Sequence, residues 1–133
     1  MGNSYELWLQ KSEENLNWAE DNLKLSNFGL VCYLSQQAVE LLLKGYIYSR
    51  DKIPPKTHQL VRLADIVKKL GLKEIDRLLP KLATLSEYYF ESRYPDELRE
   101  ELGTEEVAGK ALQAAREISD VVKRQLGGKG KGE

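Results

Sequence analysis

Four polar side chains recur at helical spacing within an otherwise apolar stretch. Tyr33, Gln37, Glu40 and Lys44 are separated by four, three and four residues, which places them on the same side of an α-helix. Glu40 and Lys44 also have the spacing of a favourable ion pair across one helical turn. Because the rest of the stretch is apolar, these groups must either find partners or face a cleft. The pattern indicates either an ordinary polar stripe with one surface ion pair or a site for a charged ligand.

His58 and the segment after residue 91 supply the other groups that could do chemistry. His58 is the only histidine in the chain, and histidine ordinarily titrates near neutrality, which makes it the first candidate for acid–base catalysis. At a helix start it can equally well pack or hydrogen-bond a loop carbonyl. Arg93 can hold a phosphate or carboxylate with two parallel hydrogen bonds, and Tyr94 can stack on a base. The same segment can also be a plain turn, in which Pro95 ends a helix and Asp96 pairs with Arg93.

Composition excludes several classes of function. The chain has 133 residues, which suits one domain, and its 20 Lys and Arg against 21 Asp and Glu give no overall basic field for nucleic acid. One histidine and one cysteine do not make a zinc site, so we expect no metal and no cofactor. Cys32 lies in an apolar stretch and should be buried. With no signal peptide and no stretch long enough to span a bilayer, we expect a cytoplasmic protein without a membrane partner.

Helical periodicity and helix-favouring residues dominate the whole chain, and alternating strand patterns do not occur. The expected helices run from about Ser4 to Leu25, from about Asn27 to Ser49, from a Thr57 cap to Gly71, from Lys73 through a kink or break at Pro80, and from a Thr104 cap onwards. The fold predicted is all-α, an up-and-down antiparallel four- to five-helix bundle. Residues 1–126 should form the bundle, and the glycine- and lysine-rich residues 127–133 a disordered tail. The second helix is apolar almost all round, so it should lie at the bundle centre or at a subunit interface.

Three motifs in this order resemble the HEPN family (higher eukaryotes and prokaryotes nucleotide-binding). After an amphipathic first helix come the stretch from Gln36 to Lys44, then Thr57-His58-Gln59-Leu60, then Ser92-Arg93-Tyr94-Pro95-Asp96. The resemblance covers about Tyr5 to Val122. It implies a helical bundle that forms a homodimer and is associated with nucleotides or RNA. It also implies a partner, a separately encoded minimal nucleotidyltransferase, in a toxin–antitoxin-like pair.

One departure from the family pattern bears on catalysis. Many HEPN proteins are metal-independent ribonucleases in which an arginine is followed, after four to six residues, by a histidine, whereas no histidine follows Arg93. The comparison therefore favours binding over catalysis. The expected ligand-binding residues are Lys44, Glu40, Gln37, His58, Arg93 and Tyr94, of which Lys44, His58, Arg93 and Tyr94 should converge on an anion. Two alternatives stay open: an RNA endonuclease that uses Arg93 with His58 or Asp96, and a purely structural helical dimerisation module.

Overall fold

Helices are the only regular elements in residues 5–91 and 103–132, which are the residues described by a computed structural model of the chain. In chain order they are α1 (Tyr5–Lys24), α2 (Phe28–Ser49), α3 (Leu60–Lys69), a 3-10 helix (Lys73–Leu78), α4 (Leu79–Glu91) and α5 (Glu105–Gly132). The predicted all-α bundle is confirmed. Only residues 25–27 join α1 to α2, and a connection this short makes the two helices antiparallel neighbours.

Helix α2 forms the centre of the bundle. It packs against α1, α3, α4 and α5, and its buried residues include Val31, Leu42 and Ile47. Cys32 is also fully buried, as expected. Most of the apolar circumference of α2 is therefore covered within one chain, and only Leu30 and Tyr48, at 44% and 39%, are exposed among its large apolar residues. This agrees with the first of the two explanations that the sequence left open, a helix at the bundle centre.

Three helices end in the same backbone turn. After α3, the Leu72 N–H donates to the Val67 carbonyl at 3.2 Å and the Gly71 N–H to the Lys68 carbonyl at 3.1 Å, which is a Schellman motif. Gly71 has a φ of 128°, as its position at a helix end led us to expect of a glycine. Ser26 and Asp51 occupy the matching position after α1 and α2, with φ values of 64° and 63°. A serine or an aspartate does not predict such a turn from the sequence, whereas a glycine does.

The predicted start of α3 needs correction. The α3 helix begins at Leu60, after an N-cap at Gln59, and the Thr57 hydroxyl only accepts the Gln59 N–H at 3.2 Å. The Leu60 N–H instead donates to Ser86 Oγ of α4 at 2.8 Å, so a neighbouring helix caps α3. The start of α2 agrees with the expectation: Asn27 is its N-cap residue, although the Asn27 side chain makes no capping hydrogen bond and its amide donates to Asn22 Oδ1 at 2.9 Å.

The two remaining predicted boundaries are confirmed. Thr104 Oγ1 accepts the Val107 N–H at 3.2 Å and so caps α5. Pro80 lies in the first turn of α4, directly after the 3-10 helix, so the segment that begins at Lys73 is split as expected.

Helix α5 extends to Gly132. Its last residues include glycines 127, 128, 130 and 132, and glycine is a poor helix former. The disordered tail expected for residues 127–133 therefore stays a prediction.

Within the described ranges, none of the helices combines the length and apolar character that crossing a bilayer requires.

Candidate functional site

A carboxylate on the central helix α2 is the hub of a buried polar cluster. Only 8% of the Glu40 side chain is exposed. Gln36 and Lys44 lie one helical turn before and after Glu40. Gln36 Nε2 donates to Glu40 Oε1 at 3.0 Å, and Lys44 Nζ donates to Glu40 Oε2 at 2.9 Å. His58 Nδ1 lies 3.1 and 3.0 Å from the two carboxylate oxygens. We call Gln36, Glu40, Lys44 and His58 the Glu40 cluster.

The His58 ring is held by residues of two helices, although it lies in the connector before α3. Besides the Glu40 contact, its plane stacks on the Tyr89 ring of α4, with centroids 3.9 Å apart and planes 12° apart. The His58 carbonyl accepts Gln36 Nε2 at 3.2 Å, so the backbone is fixed as well. The side chain still keeps 44% of its surface exposed. Glu40 and Tyr89 therefore fix the orientation of the imidazole, while part of its surface is open to solvent.

The tautomer of His58 follows from its partner. An ionised carboxylate has no proton to give, so the contact with Glu40 is a hydrogen bond only when Nδ1 carries the proton. The second ring nitrogen, Nε2, is then the atom at which a neutral His58 accepts a proton or a hydrogen bond.

Helix α4 builds the other wall of the site. Ser86, one turn before Tyr89, caps the start of α3 and so fixes the end of the His58 connector. The Tyr89 ring also lies 6.3 Å from that of Tyr33 on α2. The rings of Tyr33, Tyr89 and His58 thus follow one another beside the Glu40 cluster.

The structure brings together three of the residues proposed from sequence, namely Glu40, Lys44 and His58. Gln37 is half-buried, but it is the adjacent Gln36 that bonds Glu40. Gln36 and Tyr89 were missed as site residues. The four-residue spacing from Gln36 to Glu40 carried a signal for the first, whereas the stacking of Tyr89 on His58 depends on tertiary packing. Arg93, Tyr94 and Asp96 lie outside the described residues. The convergence of Arg93 and Tyr94 on the site, and the catalytic role of Asp96 in the endonuclease alternative, therefore stay predictions.

Charge and donor type limit what the cluster can hold. Within the described residues, no group of three or more His, Cys, Asp or Glu side chains is placed to hold a metal ion. The charges of Glu40 and Lys44 cancel across their contact. A proton on His58 would therefore add one positive charge to the cluster.

A separate groove of about 400 Å³ lies between α4 and α5. It is mostly apolar and contains none of the Glu40 cluster. Its lining residues are Pro80, Lys81, Thr84, Leu85, Tyr88, Val107, Lys110, Ala111, Gln113 and Ala114.

Comparisons with known proteins agree with this architecture. The model of a family described as HEPN domain matches residues 5–125. A protein of Methanocaldococcus jannaschii named "Putative toxin MJ1304" is 29% identical over 129 residues, which cover 88% of this chain and 84% of that protein. The crystal structure of TT1696 from Thermus thermophilus superposes with a TM-score of 0.82 over 93% of this chain and 98% of that one, at 24% identity. At this identity, the crystal structure supports the fold alone.

Proposed function

Because the chain belongs to the HEPN domain family, we propose that it is a dimeric, cytoplasmic protein that binds a nucleotide or RNA within a toxin–antitoxin-like pair. Similarity to a protein named as a toxin, over most of both chains, supports the toxin–antitoxin setting. The other member of the pair is, in this proposal, a separately encoded minimal nucleotidyltransferase.

The observation that carries the binding proposal is the Glu40 cluster. A buried carboxylate holds a partly exposed imidazole, with a lysine on one side and aromatic rings on the other. A histidine that only filled the core would not keep 44% of its side chain exposed. The proposed binding set is Lys44, Glu40, Gln37, His58, Arg93 and Tyr94, to which the geometry adds Gln36 and Tyr89.

The same geometry favours binding over cleavage. Metal-independent RNA cleavage needs one group to take the 2′-hydroxyl proton and another to protonate the leaving oxygen. Arg93 is effectively never deprotonated, and the Lys44 ammonium is engaged by Glu40. His58 is the only histidine, so the chain has no second imidazole for the other step.

An RNA endonuclease is the second candidate, and one contact favours it. A carboxylate bound to Nδ1 fixes the ring and tautomer of a histidine, which is how a general base is oriented in other enzymes. Glu40 and His58 have this relation, at 3.0 Å. Incubation of mixed RNA substrates with the purified protein and a chelator separates the two functions, because only an endonuclease would cleave them.

Because α2 lies at the centre of the bundle, the proposed dimer would form through the outer surface of α1. Leu7 and Trp18 on α1, and Leu25 just after it, are 64%, 51% and 68% exposed. Their spacings of eleven and seven residues place them on one side of the helix. Large apolar side chains aligned on one exposed side mark an interaction surface, and a homodimer would use it symmetrically.

Light scattering tests the dimer. We expect twice the monomer mass at micromolar concentration for the wild type, and the monomer mass for a variant with Trp18→Lys and Leu25→Lys. Ile53→Lys serves as the control, because Ile53 is 90% exposed in the connector after α2 and lies away from α1 in sequence. A wild-type monomer would count against the dimer, and a dimeric double variant would count against this surface.

Affinity purification from the native host tests the partner and the ligand. The tagged protein should bring down a small nucleotidyltransferase encoded next to it, together with nucleic acid or nucleotide. Expressed alone it should arrest growth, and co-expression of the partner should relieve the arrest. Growth that is unaffected in both cases, with nothing bound, would contradict the proposed function.

A further inference from the structure

The Glu40 contact confines proton exchange at His58 to one ring atom. Both carboxylate oxygens lie within 3.1 Å of Nδ1, so Nδ1 keeps its proton in the neutral and in the charged ring. Gain or loss of a proton then occurs at Nε2. Because the ring is otherwise held by Tyr89 and 44% of the side chain is exposed, Nε2 is available to a ligand.

The charges around the ring favour an anionic ligand. Glu40 is balanced by Lys44 on α2. Among the described residues, the rings beside His58 are Tyr89 on α4 and, beyond it, Tyr33 on α2, and neither brings a carboxylate. A protonated His58 therefore gives the cluster a net positive charge. Its remaining N–H donor is the one that Glu40 does not use.

The surrounding backbone adds positive potential of the same sign. His58 lies two residues before Leu60, where the ten-residue helix α3 begins, and the N-terminal end of a helix is the positive end of its dipole. Lys56 and Arg62, both exposed, lie two residues before and four residues after His58 in sequence. These features would strengthen a site for an anion but would not create one without the histidine.

We propose that His58 Nε2–H donates to a phosphoryl oxygen of the nucleotide or RNA ligand, and that His58 takes up one proton from solvent when this phosphate binds. This subsite depends on the proposed function only for the identity of the ligand. Glu40 and Gln36 are positioning residues, since one holds the ring and the other holds the His58 carbonyl.

The single histidine makes nuclear magnetic resonance a direct test, because every imidazole signal of the untagged protein belongs to residue 58. Long-range ¹H–¹⁵N spectra should show the proton on Nδ1 in the neutral ring. Inorganic phosphate and adenosine 5′-monophosphate should each shift the ring signals saturably. Sulfate, whose charge is constant across this range, should bind more weakly once the ring is neutral, because the Nε2–H donor is then absent.

The choice of ligands identifies the source of the phosphate. A dinucleotide without a terminal phosphate carries only an internal phosphodiester. Shifts with the monophosphate and none with the dinucleotide assign the subsite to a nucleotide or RNA end, whereas equal shifts assign it to the RNA backbone. A neutral ring with its proton on Nε2, or ring signals that no phosphate compound moves at millimolar concentration, overturns the proposal.

Variants separate binding from structure. His58→Gln keeps a hydrogen-bonding side chain but cannot titrate, so sulfate binding should weaken about tenfold, by analogy with a lost charged hydrogen bond, and lose its pH dependence. Glu74→Gln is the control, because Glu74 forms an exposed pair with Arg77 in the 3-10 helix. If His58→Gln lowers the melting temperature and leaves sulfate binding unchanged, the cluster is structural. Capture of the partner is an independent measurement. If a nucleotidyltransferase is captured but phosphate compounds do not shift the His58 signals, the phosphate subsite alone is contradicted. If phosphate compounds shift the His58 signals but no nucleotidyltransferase is captured, the toxin–antitoxin function alone is contradicted.

Discussion

The Glu40 carboxylate is almost fully buried, and its three polar neighbours offset the free-energy cost of that burial. A buried ion is tolerated when its charge is paired and its lone pairs are filled. Lys44 supplies the charge, and Gln36 and His58 supply further donors. The cluster also joins α2 to the connector before α3, so its contribution to stability includes the position of His58.

Removing this carboxylate should cost more than removing an exposed one. We expect Glu40→Ala to lower the free energy of unfolding by about 3 kcal/mol, because it leaves the Lys44 ammonium, whose side chain is 13% exposed, without its partner. Glu40→Gln keeps the shape and should lose less. Asp65→Ala, at an i,i+4 pair with Lys69 whose side chains are 59% and 75% exposed, should change it by less than about 0.5 kcal/mol. Urea unfolding measures all three, and equal effects of Glu40→Ala and Asp65→Ala would contradict the account.

At the residue scale, sequence alone could predict the local pair but not its tertiary partners. The four-residue step from Glu40 to Lys44 fixes their contact within one helix. It could not separate Gln36 from Gln37, because these lie about 40° and 60° from Glu40 around an ideal helix. His58 is eighteen residues from Glu40, and nothing local in the sequence specifies that distant contact.

At the element scale, the crossing of α1 and α2 depends on a missing side chain. A Cβ atom at Gly45 would lie 2.7 Å from Trp8 Cβ, closer than two such atoms can approach. Trp8 Cβ is fixed to the α1 backbone, so rotation of the indole cannot relieve the clash. Glycine at this position lets two of the principal helices pack closely.

Alanine at this crossing should therefore destabilise the fold despite its better helix propensity. We expect Gly45→Ala to lower the free energy of unfolding by about 1–3 kcal/mol, the usual cost of overpacking. The matched control is Gly109→Ala in α5, where an added Cβ meets nothing within 4 Å. There alanine should raise stability by up to about 1 kcal/mol, because glycine is a poor helix former. Opposite signs in thermal unfolding would support the close crossing, and a gain at both positions would rule it out.

Helix boundaries show why the elements were predictable in part. Pro80, Gly71 and Thr104 each act through their own backbone or side chain, and all three boundaries occur as expected. The start of α3 could not be predicted locally, because its capping group, Ser86, belongs to another helix.

At the scale of the whole molecule, ion pairs connect helices that are distant in sequence. Arg116 and Lys123 of α5 reach Glu20 and Glu13 of α1, at 2.7 and 2.5 Å. Lys81 of α4 donates to Glu117 of α5 at 2.5 Å. These contacts hold α5 against the first and fourth helices around the central α2.

The Lys81–Glu117 pair predicts a pH dependence of stability. The hydrogen bond from Lys81 lowers the pKa of Glu117 below its ordinary value, with a smaller contribution from the charge of Arg77. Because the folded pKa is lower than the unfolded one, the stabilisation is present above the unfolded value and is lost as pH falls through the folded value. The melting temperature of Glu117→Gln should thus approach that of the wild type in acid. A gap that is unchanged between neutral and acid pH would contradict this sign.

The last prediction concerns whether the molecule acts on RNA chemically or only binds it. Its proton-transfer groups for such a reaction are few: Arg93 stabilises negative charge without exchanging a proton, Asp96 follows Pro95, and His58 is the sole histidine. We expect the purified wild type to bind mixed RNA substrates and to cleave them little or not at all in the presence of a chelator. His58→Ala and Arg93→Ala should weaken binding, while Glu74→Ala, at an exposed pair with Arg77, should not. Robust cleavage with chelator that either His58→Ala or Arg93→Ala abolishes, and Glu74→Ala leaves intact, would instead establish the endonuclease, with Glu40 orienting His58 as its base.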